Sequence, residues 1–155
     1  MQIALILLLT NTAMAWFMTG LIWFVQVVHY PQFKCVGDEA FGVYHSGHTR
    51  LTTWVVGPPM LIEFASAVGL VIYGGTVIPA PIAWIALILL AIVWISTAFL
   101  QIPRHDVLAK GWNDRAARLL CSSNWIRTIG WSARALLMTY AIWHFLLAQA
   151  GRPGT

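Results

Sequence analysis

Charged side chains are scarce in this chain of 155 residues. Only 9% of the residues are Asp, Glu, Lys or Arg, whereas 59% are hydrophobic. A soluble globular domain contains about 25% charged residues, so this composition excludes a soluble domain and indicates an integral membrane protein. Four lipid-spanning helices of about 20 residues each would use most of the chain, which predicts a single membrane domain over residues 1–155.

Cysteine is also rare, and the sequence has no recognised catalytic or cofactor motif. Two cysteines are too few for a disulfide framework. The H-E-x-x-H zinc motif, the P-loop, the dinucleotide fingerprint and the CxxCH haem-attachment motif are all missing. The formal charge of +4 comes without the basic stripe of a nucleic-acid-binding protein, so the lipid bilayer is the expected partner rather than nucleic acid.

Four apolar runs predict an all-α fold, a bundle of four transmembrane helices. The predicted spans cover approximately residues 3–28, 51–73, 80–102 and 124–149. We expect Pro31 to end the first span and Pro103 to end the third, because proline lacks the N–H that the interior of a helix needs.

Basic residues are distributed asymmetrically around these spans. Seven fall on one side: Lys34, Arg50, Arg104, Lys110, Arg115, Arg118 and Arg127. Only Arg152 is assigned to the other side. The positive-inside rule then predicts a multi-pass protein of the bacterial inner (cytoplasmic) membrane with both termini on the non-cytoplasmic side.

The two halves of the chain show a short internal similarity. Gln26 precedes His29 at the end of the first span, and Gln101 precedes His105 at the end of the third. In each half, a polar connection comes next, and a span that carries an ionisable residue follows it. The pattern is compatible with a two-plus-two pseudo-repeat about an axis along the membrane normal.

Four of the five histidines approach the cytoplasmic edge from three different segments: His29, His45, His48 and His105. If residues 39–50 are helical, His45 and His48 share one helix face, because they are three residues apart. Imidazole is the commonest side-chain metal ligand. We therefore predict that these four histidines bind one or two first-row transition metal ions, with iron preferred over copper or zinc.

The alternative interpretation is that the four are unrelated histidines at the membrane interface, where amphipathic side chains are tolerated. His144 lies in the outer half of the fourth span and is expected to be a packed or interfacial residue. The histidine cluster is predicted to lie near the cytoplasmic face.

Two glutamines lie about one turn deeper than the histidines that follow them. Gln26 and Gln101 could orient imidazoles, bind the metal or hydrogen-bond the polar head of a substrate. The competing role for each is an interhelical hydrogen bond between spans.

A polar and aromatic stripe opens the fourth span. Asn124, Arg127, Trp131 and Arg134 follow one another at spacings of three, four and three residues. Such a stripe could line a cavity, hold an anionic group or lie at the interface. Asn124 and Arg127 are candidate cofactor-binding residues, and phospholipid contact is the competing role for Arg127.

Glu63 and Arg134 are predicted to lie at matching depths in the membrane. Glu63 is 12 residues beyond Leu51, and Arg134 is 10 residues beyond Asn124 on a span that enters from the same side. An unpaired charge in hydrocarbon costs at least about 2.5 kcal/mol, which favours mutual pairing. Both are also candidate catalytic residues, with Glu63 as a metal ligand or proton relay.

The motifs HYPQF, YHSGHTR, VVGPPMLIEF, QIPRHDVLAKG and NWIRT resemble those of a family of small four-span bacterial integral membrane proteins of unknown function. The resemblance implies the four-span fold and no particular activity.

Three classes of function compete on this sequence. The first is a metal-dependent membrane oxidoreductase that acts on a hydrophobic substrate from the lipid phase. The second is a haem-binding electron-transfer protein in which His29 and His105 would bind the haem iron. The third is a small transporter or a non-catalytic accessory subunit of a membrane complex, and small residues on the helices could support a homo-oligomer.

Overall fold

The computed structural model describes residues 1–151 and consists of four long helices joined by short turns. We name them α1 (Gln2–Cys35), α2 (Asp38–Tyr73), α3 (Ala80–Leu108) and α4 (Asp114–Ala150). Residues 1–151 contain no β-strand, so the predicted all-α class is confirmed.

Neighbouring helices in the sequence pack against each other, and α4 also packs against α1. Their buried faces form two apolar clusters. One includes Leu8 and Met138, and the other includes Met18 and Trp131. The polar residues of the candidate site lie on the same inward faces, so the helix packing brings them together.

Three of the helices are long and apolar enough to cross a membrane: α1, α2 with the turn that follows it, and α3. Large apolar side chains are exposed along their outer surfaces, as expected for contact with lipid. The structure is therefore compatible with a multi-pass membrane protein. Helix α4 is not among these candidates, because polar residues such as Arg134 and His144 lower its hydropathy. The fourth span and the orientation of the termini stay predictions, and Arg152 lies outside the described residues.

The expectation that proline ends the first and third spans is wrong. Helix α1 continues past Pro31 to Cys35, and α3 continues past Pro103 to Leu108. Each proline follows a π-helical turn, Val25–His29 in α1 and Thr97–Gln101 in α3. It then occupies the first turn of the next helical segment, where a missing N–H costs little.

The segment before the predicted second span is helical. Residues 39–50 belong to α2, which runs without interruption through Pro58 and Pro59. The condition for placing His45 and His48 on one helix face is therefore met, and α2 begins well before the predicted start at residue 51.

Candidate functional site

Four imidazoles lie together where α1, α2 and α3 meet. His29 Nε2 is 2.8 Å from His48 Nδ1, and His45 Nε2 is 3.0 Å from His105 Nδ1. The ring centres of His48 and His105 are 5.8 Å apart, so the two pairs form one cluster. The predicted convergence of these histidines is confirmed. His144 is exposed and lies near the C-terminal end of α4.

Local helix geometry sets the position of each ring. His29 lies in the π-helical turn of α1, and His105 follows the corresponding turn of α3. Aromatic side chains pack around the cluster: the ring centre of Phe33 is 5.2 Å from that of His48, and Phe41 stacks on His45 at 5.6 Å. These contacts restrict the rotation of the imidazoles.

Hydroxyl groups extend the cluster. The Tyr30 hydroxyl is 3.1 Å from His105 Nε2, and Thr52 Oγ1 is 3.1 Å from His48 Nδ1. His45 is fully buried, and its Nδ1 atom has no hydrogen-bond partner within residues 1–151.

Within residues 1–151, no group of three or more His, Cys, Asp or Glu side chains is arranged as a metal site. The imidazole nitrogens meet in two hydrogen-bonded pairs instead. Imidazole is nevertheless a donor that iron, copper and zinc all accept. The donor chemistry therefore fits a transition metal, and the ligand role of the four histidines stays a prediction.

A cavity of about 380 Å³ adjoins the cluster, and both His48 and His105 line it. Most of the other lining is apolar and includes Met18, Met60 and Trp131. A mainly apolar pocket of this size with a few polar groups is the usual form of a small-molecule site.

The four predicted cofactor-binding residues separate into two groups. Gln101 and Arg127 line the cavity, whereas Gln26 and Asn124 lie behind it. Asn124 Nδ2 donates to Gln26 Oε1 at 2.8 Å, and Asn124 Oδ1 accepts from Arg127 Nε at 2.9 Å and from Nη2 at 2.6 Å. Gln26 therefore forms an interhelical hydrogen bond, and Asn124 orients the guanidinium. Arg127 is buried in the protein interior.

The second polar centre is built on Glu63 and Arg134, and their predicted pairing is confirmed. Arg134 Nε donates to Glu63 Oε1 at 3.0 Å, and both side chains are fully buried. Trp131 Nε1 donates to Glu63 Oε2 at 2.9 Å. Arg134 Nη2 donates to Asn11 Oδ1 at 2.8 Å, and Nη1 donates to the Ala86 carbonyl. The ion pair thus connects all four helices.

This centre is separate from the histidine cluster. Both carboxylate oxygens of Glu63 accept hydrogen bonds from α4, and neither contacts an imidazole. The structure does not bring Glu63 or Arg134 to the cavity. Their catalytic roles stay predictions.

Two important side chains were not singled out from the sequence. Asn11 lies between Thr10 and Thr12 in a short polar interruption of the apolar run of α1, and this interruption was a usable signal. Tyr30 is adjacent to His29, but an interfacial role explained it equally well, because only the structure shows its contact with His105.

No protein-family model, curated protein or solved structure matches the chain. The functional argument therefore rests on the chemistry of the site.

Proposed function

We propose that the protein is a membrane-embedded, metal-dependent oxidoreductase that acts on a hydrophobic small molecule. One observation supports this above all: imidazoles from three helices converge beside an apolar cavity. The cavity would hold the substrate, which would enter from the lipid phase through the apolar surfaces of the helices.

The metal would be held by the four clustered histidines, His29, His45, His48 and His105. Imidazole suits iron, copper and zinc, and iron is the first choice because redox chemistry requires a metal that changes oxidation state. When bound, the metal would supply the electron transfer that protein side chains lack.

The protein's own residues would position the substrate and move protons. His48 and His105 belong to both the cluster and the cavity wall, so they would help to hold the metal and would also contact the substrate. Tyr30 also lines the cavity, and its hydroxyl is 3.1 Å from His105 Nε2. It can therefore donate a proton to, or accept one from, a group at this end of the cavity.

In this proposal α4 is the fourth membrane span. Its outward side chains include Ile129, Leu136, Trp143 and Leu147, all of them exposed. Lipid would cover them, and the ion pair of Arg134 with Glu63 would offset the buried charge. The positive-inside rule would then place the histidine cluster near the cytoplasmic face of the inner membrane.

Metal analysis with an absorption spectrum tests the proposal. Detergent-purified protein should contain a stoichiometric first-row metal, with iron the first expectation. His45→Ala and His48→Ala should each abolish metal binding, because each removes one nitrogen of a pair. His144→Ala is the matched control and should retain the metal.

Each result distinguishes between the candidate functions. A Soret band would identify a haem protein. Retention of metal in His45→Ala and His48→Ala would contradict the assignment of the ligands. Protein free of metal under conditions that prevent stripping would contradict the proposal and favour a transporter or accessory subunit.

A further inference from the structure

Arg127 is a buried cation without a carboxylate partner. The residue is 8% exposed and lines the cavity. Within residues 1–151, the one ion pair between an arginine and a carboxylate is that of Arg134 with Glu63. Arg127 thus places at the cavity wall a positive charge with no carboxylate within ion-pair distance, although the exposed residue Asp106 also lines the cavity.

All hydrogen-bond partners of Arg127 are neutral. They are Asn124 Oδ1, the Tyr30 hydroxyl at 3.4 Å and Thr97 Oγ1 at 3.4 Å. The guanidinium carbon also lies 5.9 Å from the ring centre of Trp131. These contacts fix the orientation of the group but do not neutralise it, and a buried charge is costly unless an opposite charge accompanies it.

A second polar side chain in the cavity wall has one atom without a hydrogen-bond partner within residues 1–151. Gln101 is 1% exposed, and its Oε1 atom has no hydrogen bond within the described residues. Its Nε2 atom donates to Ser123 Oγ, which in turn donates to the Leu119 carbonyl. The free oxygen is therefore an acceptor, and a ligand hydroxyl or N–H group would satisfy it.

We propose that the cavity binds a hydrophobic small molecule with an anionic oxygen, such as a carboxylate or phenolate, and that Arg127 supplies the counter-charge. The apolar body would contact Met18, Met60 and Trp131, which line the same cavity. The inference rests on the proposed function in one respect: both place a hydrophobic molecule in the cavity. It does not require the metal.

Two probes of matched shape test the inference: 2-naphthoate and its uncharged analogue 2-acetylnaphthalene, neither of which offers an N–H or O–H group to Gln101 Oε1. Their affinities are measured by titration calorimetry on the whole protein in phosphatidylcholine nanodiscs. Because a hydrogen bond to a charged group is worth about 1.5 kcal/mol or more, wild-type protein should prefer the naphthoate by about tenfold or more.

Three variants locate the source of this preference. Arg127→Gln should abolish it, and Arg127→Lys should retain part of it because the charge stays. His144→Ala, which changes an exposed residue outside the cavity, should leave it intact. Equal affinity of wild-type protein for the two probes, or no binding of either, would overturn the inference. So would retention of the full preference in Arg127→Gln.

Native mass spectrometry tests for a lipid occupant. Retention of phosphatidylglycerol by wild-type protein but not by Arg127→Gln would assign the site to a phospholipid phosphate and overturn the small-molecule ligand. The inference and the proposed function can fail separately, since the first is measured by charge preference and the second by metal content.

Discussion

Two buried arginines on α4 differ sharply in their surroundings. Arg127 and Arg134 are seven residues apart, about two helical turns, so both point to the interior of the protein. Arg134 forms an ion pair with Glu63 and donates to Asn11 and to a backbone carbonyl. Arg127 has only neutral partners and lies at the cavity wall.

The comparison shows that a buried charge can stabilise helix packing or prepare a binding site, depending on its partners. The electrostatic demand of Arg134 is met within the protein, and its contacts hold all four helices. The electrostatic demand of Arg127 is not met within residues 1–151, so its positive charge would stabilise an anion in the cavity. The following predictions test this distinction.

The largest loss of stability is expected for Glu63→Leu. It leaves Arg134 buried without its counter-charge, and breaking a buried ion pair in this way costs about 3 to 5 kcal/mol. The free energy of unfolding, measured by denaturant titration in detergent, should fall by this amount.

The double variant Glu63→Leu with Arg134→Met is its control. It should recover most of the loss, because an apolar pair leaves no uncompensated charge. Additive losses in the double variant would mean that the two side chains act independently, contrary to the structure.

Trp131→Phe should have an intermediate effect. It removes the N–H that donates to Glu63 Oε2 and keeps an aromatic ring in a similar position. A hydrogen bond to a charged group is worth about 1.5 to 3 kcal/mol, so unfolding should become easier by that amount. In the Glu63→Leu background the same change should cost much less, and an equal cost there would rule out the hydrogen bond as the cause.

Arg127→Met should have the smallest effect on stability. Removing an unpaired buried charge relieves its desolvation, whereas the buried Asn124 Oδ1 that loses its donors costs about 1 to 3 kcal/mol, so the free energy of unfolding should change little. A loss as large as that of Glu63→Leu would show that Arg127 is structural and would remove the distinction between the two arginines.

Much of this arrangement follows from the sequence. Matching depth along two helices predicted that Glu63 and Arg134 pair, and the spacing of His45 and His48 predicted a shared face. Both predictions rely on regular α-helical geometry within one segment. Helices α2 and α4 maintain this geometry over their whole lengths.

Other features depended on irregular geometry or on tertiary contacts. Pro31 and Pro103 were expected to end helices, but a π turn before each proline lets the helix continue. Arg127 is close enough to a polar connection to suggest contact with phospholipid. Its buried position becomes evident only once α1 and α3 are packed against α4.

The two π turns also determine how the residues that follow them are rotated about the helix axis. Each contains one residue more than an α-helical turn, and one residue corresponds to about 100° of rotation around the helix axis. Tyr30 and His105 both follow such a turn, and they hydrogen-bond each other across the helix interface. Deletion of one residue from either turn would rotate the residue that follows that turn, Tyr30 or His105, away from this contact. The contact would be lost even if every side chain of the site were kept. The two insertions therefore belong to the site as much as its functional groups do.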